Sequence, residues 1–169
     1  MPHELIILRH AKSDWDSGAS SDFERPLSKR GKRDAPRVGQ WLKEQDLVPD
    51  YVISSPAKRA KKTALAMCEA LAIPRKQLHF DERIYLADRE TLLQVISAIP
   101  SKVRRLMLVG HNPGLDELLL YLSEIEPSYT ATGKLLTTAA VACLLLPHDW
   151  SRLERASAEL RLLVRPGED

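Results

Sequence analysis

The chain has 169 residues and a mass of 19.0 kDa, which fits one domain, 1–169, around a single substantial core. Its 25 basic and 23 acidic residues leave a net charge of +2, too balanced for the concentrated basic surface that nucleic acid requires. No apolar run approaches the roughly 20 residues that span a bilayer, and Cys68 and Cys143 lie in apolar patterns without zinc-type spacing, so a reduced, cytoplasmic protein with no membrane partner is expected.

The N-terminus, MPHELIILRH, places an acid before a short apolar run and does not read as a signal peptide. Residues 5–8 have the continuous branched character of a strand buried on both faces, and Arg9 and His10 follow directly from its end. Residues 11–27 carry no period; a loop of this length is uncommon in a compact domain and is often functional. Lys12 and Trp15 within it are candidates for the rim of a site. A helix marked by Ala35, Val38 and Leu42 follows a cap at Ser28, with a kink or late start expected at Pro36.

The second strand, 51–53, runs into SSPAKRAKKTA. Here Ser55 is expected to cap a helix, Pro56 to take its first position and Arg59 to lie one turn in. Ala60, Ala64, Met67 and Leu71 mark the buried stripe of that helix, and Lys58, Lys61 and Lys62 its solvated face. A short strand at 77–80 precedes DERIY, and Leu92, Val95, Ile96 and Ile99 mark a third helix. The strand at 106–109 leads to Gly110, His111, Asn112 as expected cap and Pro113 at the first helical position. Leu115, Leu118, Leu119 and Leu122 mark the fourth helix, with Asp116 and Glu117 in its first turn. Residues 126–139 again lack a period, and strands at 141–146 and 160–164 complete the chain.

Strands alternating with helices predict an α/β fold: a three-layer sandwich whose central, mainly parallel sheet has helices on both faces. Ligands of such sheets bind at the carboxyl ends of the strands. Three of those ends carry matching chemistry: Arg9 and His10, then Arg59, then His111. Two helix starts at the same edge add backbone N–H groups, making an anion site suited to a tetrahedral dianion. Arginine's planar fork matches phosphate oxygens. Arginines and backbone would suffice to hold phosphate, so two histidines point further, to an imidazole that attacks phosphorus and carries the phosphoryl group. Either histidine alone would read as structural; the coincidence at three strand ends favours a site. His3, His79 and His148 fall outside that pattern and read as structural.

The segments LRHAKSDW, RPLSKRGKRDA, SSPAKRAKKTA, DERIYLA and VGHNPGL, in that order, resemble the successive motifs of the histidine phosphatase superfamily (phosphoglycerate mutase-like), most closely its small SixA-type phosphohistidine phosphatases. The resemblance runs from Leu5 to about Leu146. It implies that His10 is the phosphorylated nucleophile, that Arg9, Arg59 and His111 complete the phosphate pocket, and that the reaction uses no metal and no cofactor. The family's leading motif usually has glycine where this chain has Ala11, a residue small enough to fit. Glu82 matches the position of an acidic proton donor found in many members, and the small branch has less need of one. The bland alternative for Glu82 is a surface pair with Arg83. Lys12 joins Arg9, Arg59 and His111 as a candidate substrate-binding residue.

Only one short helix fits between the third and fourth strands, where larger relatives insert material that covers the site. An open site suits a phosphorylated side chain on another protein better than a small metabolite, which is usually enclosed. The expected substrate is therefore phosphohistidine on a phosphorelay or phosphotransfer protein, with inorganic phosphate as product. A phosphatase for a small phosphate ester, with Glu82 as general acid, is the alternative. An inert phosphate-binding module would have no use for the nucleophile, and no histidine pair has the helical spacing of a zinc hydrolase.

Overall fold

The apolar run near the N-terminus forms strand β1 (His3–Arg9), which lies between two neighbours inside a six-stranded sheet. The computed structural model describes residues 2–168. Successive β1 side chains enter opposite layers, as the two-residue period of a strand requires. Leu5 and Ile7 join a core cluster on one face, Ile6 and Leu8 a cluster on the other. Both faces are therefore apolar, and the run could not alternate with polar residues.

The other strands are β2 (Tyr51–Ser54), β3 (Leu78–Phe80), β4 (Arg105–Gly110), β5 (Val141–Leu146) and β6 (Glu159–Val164). Their order is β3-β2-β4-β1-β5-β6. The pairs β1–β4, β2–β4 and β2–β3 are parallel, whereas β5 is antiparallel to both β1 and β6. Helices α1 (Lys29–Glu44) and α2 (Lys58–Ala70) pack on the Ile6 face. Helices α3 (Arg89–Ser97) and α4 (Gly114–Leu122) pack on the Leu5 face. The three-layer sandwich follows. No helix among the described residues is long and apolar enough to cross a membrane.

The register aligns the strand ends that carry the chemistry. Arg9 is opposite Gly110, and Ser54 is opposite Val109. Beyond the ladder, the amide of His10 donates to Gly110 O at 3.1 Å and that of Ser55 to Val109 O at 3.0 Å. From the antiparallel side, the amide of Ala139 donates to His10 O at 3.1 Å, which brings the end of the 126–139 loop to the same edge.

Helix starts differ from expectation in detail. Ser28 caps α1, its Oγ accepting from Gly31 N at 3.1 Å, and the helix runs unbroken through Pro36 with no late start. Pro36 faces solvent, where the carbonyl it leaves unpaired can meet water. α2 begins two residues later than the proline signal implies. The Ser55 hydroxyl accepts from Ala57 N at 3.2 Å in a tight turn and also meets His111, so Ala57 takes the cap position. At α4 Pro113 takes the cap position, but Asn112 Oδ1 still accepts from Asp116 N at 3.1 Å.

Candidate active site

His10 follows directly from β1 and is 6% exposed. Its Nδ1 lies 2.7 Å from the carbonyl oxygen of Ala11. A carbonyl can only accept, so Nδ1 is the donor and Nε2 of the neutral ring keeps its lone pair. Burial holds the His10 pKa down at about 3; the bond to Ala11 opposes this, while His111, Arg9 and Arg59 add to it. The ring is neutral at pH 7. Ala11 is itself buried, and its amide donates to Thr63 Oγ1 on α2 at 3.0 Å.

His111 sits 5.2 Å from His10, centroid to centroid. Its Nε2 is 2.8 Å from Ser55 Oγ, which already accepts from Ala57 N. The serine proton is then best directed to Nε2, which assigns the N–H of a neutral His111 to Nδ1. That Nδ1 is buried with no hydrogen-bond partner among the described residues. Burial, reinforced by Arg59, lowers the His111 pKa to about 4, with Asp22 acting in the opposite direction.

The two rings line a cavity of about 270 Å³ together with Arg9, Arg59, Arg25 and Lys12. Arg9 is fixed at one side, its Nη1 donating to Leu136 O at 3.0 Å; Asn112 Nδ2 donates to the same carbonyl at 2.9 Å. Arg59 is fixed at the other. Its Nη1 donates to the backbone oxygen of Asp22 at 2.7 Å and its Nη2 to Asp22 Oδ2 at 3.0 Å, while its Nε is buried without a partner among the described residues. Asp22 also accepts from Arg25 Nη1 at 2.6 Å and from the Tyr85 hydroxyl at 2.6 Å. The Tyr85 bond, with Arg59 and Arg25, lowers the Asp22 pKa to about 2 despite some desolvation. One carboxylate thus arranges two guanidinium groups around a neutral imidazole. Such a site can bind a tetrahedral dianion and attack it from Nε2.

The family model of the histidine phosphatase superfamily (branch 1) matches residues 5–85, the stretch that supplies Arg9, His10, Asp22, Arg25 and Arg59. A Mycobacterium leprae protein of uncharacterised function is 31% identical over 159 residues, covering 90% of this chain and 96% of that relative. The chain belongs to the histidine phosphatase superfamily. A solved structure assigned as the phosphohistidine phosphatase SixA of Nakamurella multipartitia is similar at a TM-score of 0.82 and 26% identity, covering 99% of this chain and 98% of that one. One assigned as SixA from Agrobacterium tumefaciens gives a TM-score of 0.77 at 26% identity, over 99% of this chain and 100% of that one. Within the superfamily the fold is that of the SixA-type branch, and the activity at that level is a phosphatase.

As a histidine phosphatase fold, the structure brings together Arg9, His10, Lys12, Arg59 and His111, all expected from sequence. Glu82 is placed elsewhere: it is exposed on a short 3₁₀ turn (Glu82–Ile84) and does not line the cavity. Arg83 pairs with Asp81, at 2.7 Å, and not with Glu82 as the bland alternative held. The helix start at α2 is also less open than expected, because the amide of Lys58 donates to Phe23 O at 2.9 Å. Asp22, Arg25 and Tyr85 were not assigned from the sequence. The signal for the first two lay in the aperiodic 11–27 loop, in DFERPL, where an acid and an arginine stand three apart.

Proposed function

We propose that the protein hydrolyses phosphohistidine on other proteins, with His10 carrying the phosphoryl group between substrate and water. The observation that carries this reading is the Nδ1 bond to Ala11, which leaves Nε2 of a neutral, buried imidazole as a nucleophile among arginines. In the first step Nε2 forms a bond to phosphorus as the substrate P–N bond breaks. The departing imidazole, protonated on its other nitrogen, takes the electron pair and leaves neutral. In the second step water attacks phosphorus, and His10 leaves in its turn as a neutral imidazole with Nδ1–H still on Ala11. The water proton ends on the product phosphate. Arg9, Arg59 and His111 stabilise the charge on the transferring oxygens.

Preference for phosphohistidine follows from the leaving group. An alkoxide needs a proton from a general acid. Among the described residues, the carboxylate lining the cavity is Asp22, which three donors keep ionised. Imidazole departs without such help. Only α3 and a 3₁₀ turn separate β3 from β4, a crossover too short to form a covering domain, which supports a protein-borne phosphoryl group as substrate. The substrate is read as a phosphorelay or phosphotransfer protein in the cytoplasm, the product as inorganic phosphate, and the reaction as metal-independent. Purified protein in EDTA should cleave phosphoramidate and a histidine-phosphorylated protein and act poorly on alkyl phosphates. Rapid alkyl phosphate turnover, or activity abolished by EDTA, would overturn the reading.

A further inference from the structure

The mouth of the site gathers apolar side chains that the chemistry does not use. Among the described residues, six large apolar side chains are exposed: Trp15, Val48, Leu86, Leu120, Ile125 and Tyr129. Trp15 and Leu86 line the catalytic cavity. Leu120 and Tyr129 line a second cavity of about 400 Å³. The two cavities adjoin, because Arg9 and Asn112 line both. Four of the six therefore line two adjoining cavities. Scattered apolar residues are ordinary on a surface, whereas a gathered set marks an interaction site.

These side chains are held in place rather than left loose. Trp15 is 73% exposed, yet the Arg25 guanidinium lies 3.5 Å from its ring centroid. Leu86 is 57% exposed on a backbone with φ of 53°, a left-handed conformation that a leucine rarely adopts. Tyr129 belongs to a loop tied back by Arg165, which donates to the carbonyls of Ser128 and Leu135. Leu120 stands on α4, a rigid element. Inside this collar lie Arg9, Arg25, Arg59 and Lys12 with Asp22, and the adjoining cavity adds Lys134 and Asp116, so cations outnumber carboxylates five to two.

We propose that the collar is the docking surface for the phosphohistidine-bearing protein, and that the partner's surface around its phosphorylated side chain is apolar. This rests on the phosphohistidine reading above. Charge complementarity selects the occupant: a phosphoryl dianion matches the cationic floor, and an apolar surround matches the collar and excludes water from the contact. A small phosphate ester would lodge in the floor without reaching Leu120 or Tyr129.

The double variant Leu120→Ser/Tyr129→Ser tests this, since both residues lie outside the catalytic cavity. The probes are phosphoramidate and a purified phosphocarrier protein phosphorylated on histidine. KM for the protein should rise about tenfold, with its kcat and both constants for phosphoramidate within about twofold of wild type. An unchanged KM for the protein, or an equal loss on phosphoramidate, overturns the proposal. So does a wild-type dimer in sedimentation that the substitutions dissociate, which would give the face to a second copy of the chain. Wild-type protein that leaves the phosphocarrier untouched would remove the phosphohistidine reading itself, and the docking role with it. Failure of the collar alone leaves wild-type turnover of the phosphocarrier intact.

Discussion

His10 is held neutral by burial, and that has a consequence for stability as well as for chemistry. In the unfolded chain an imidazole titrates near 6.5, whereas His10 and His111 in the fold titrate near 3 and 4. Between those values the unfolded state binds protons that the native state does not, so stability falls as pH drops from about 6.5 toward about 4. His10→Asn should flatten this decline in melting temperature measured between pH 7 and pH 4.5; an equally steep decline would assign it to other groups. His10→Asn should also yield no phosphoryl adduct in quenched intact-mass measurements. Arg59 makes a different demand. Asp22 occupies its two terminal nitrogens through separate acceptors, and Nε is buried with no partner among the described residues. A lysine keeps the charge and cannot reproduce that fork. Arg59→Ala should lower kcat by about 10²–10³, the scale of one lost transition-state donor, and Arg59→Lys should recover little of it. A change confined to KM would instead mean uniform binding.

At the scale of elements, the site depends on how the 11–27 loop is pinned to α1. Ser28 donates from its amide to Lys12 O at 2.9 Å, and its hydroxyl donates to the same oxygen at 3.1 Å. The contact is close enough that a Cβ on Gly31 would lie 2.1 Å from Lys12 O. Gly31→Ala should therefore shift the loop that carries Lys12, Asp22 and Arg25, destabilising the protein by about 1–3 kcal/mol as overpacking does. Thermal melts and phosphoramidate kinetics check this, and a variant matching wild type in both would show the loop to be compliant. The same loop explains what could be read in the sequence. β1, β2 and β4 were legible because buried parallel strands leave continuous apolar runs, and their ends exposed Arg9, His10, Arg59 and His111. Ser28 was legible as a cap because its hydroxyl bonds locally, three residues on. Asp22 was not, because its partners Arg59 and Tyr85 are 37 and 63 residues away and no local period records such contacts. Ser55 was misplaced as a cap for a related reason: its hydroxyl faces His111, 56 residues along.

The whole molecule sets the order of its parts around one opening. Three parallel strand ends supply the cations and imidazoles, the antiparallel β5 returns residues 137–140 to the same edge, and the short β3–β4 crossover adds Leu86 to the cavity wall. That crossover also decides the fate of Glu82. It stands on the surface of the crossover, outside the cavity, and Asp81 takes the arginine that could have anchored it. A carboxyl group in that position is not held against the oxygen of a leaving group. A general acid contributes about 10²–10⁴-fold where a leaving group needs a proton, and geometry must come first. Glu82→Gln should therefore change kcat/KM by less than about threefold on phosphoramidate, on a phosphohistidine protein and on the slow residual hydrolysis of an alkyl phosphate alike. Aryl phosphate, which leaves as a stabilised phenolate, serves as the control that needs no acid. A hundredfold loss on the alkyl ester with the aryl ester spared would mean that the crossover moves Glu82 into the site on binding. The small-ester phosphatase would then be the better account of the protein.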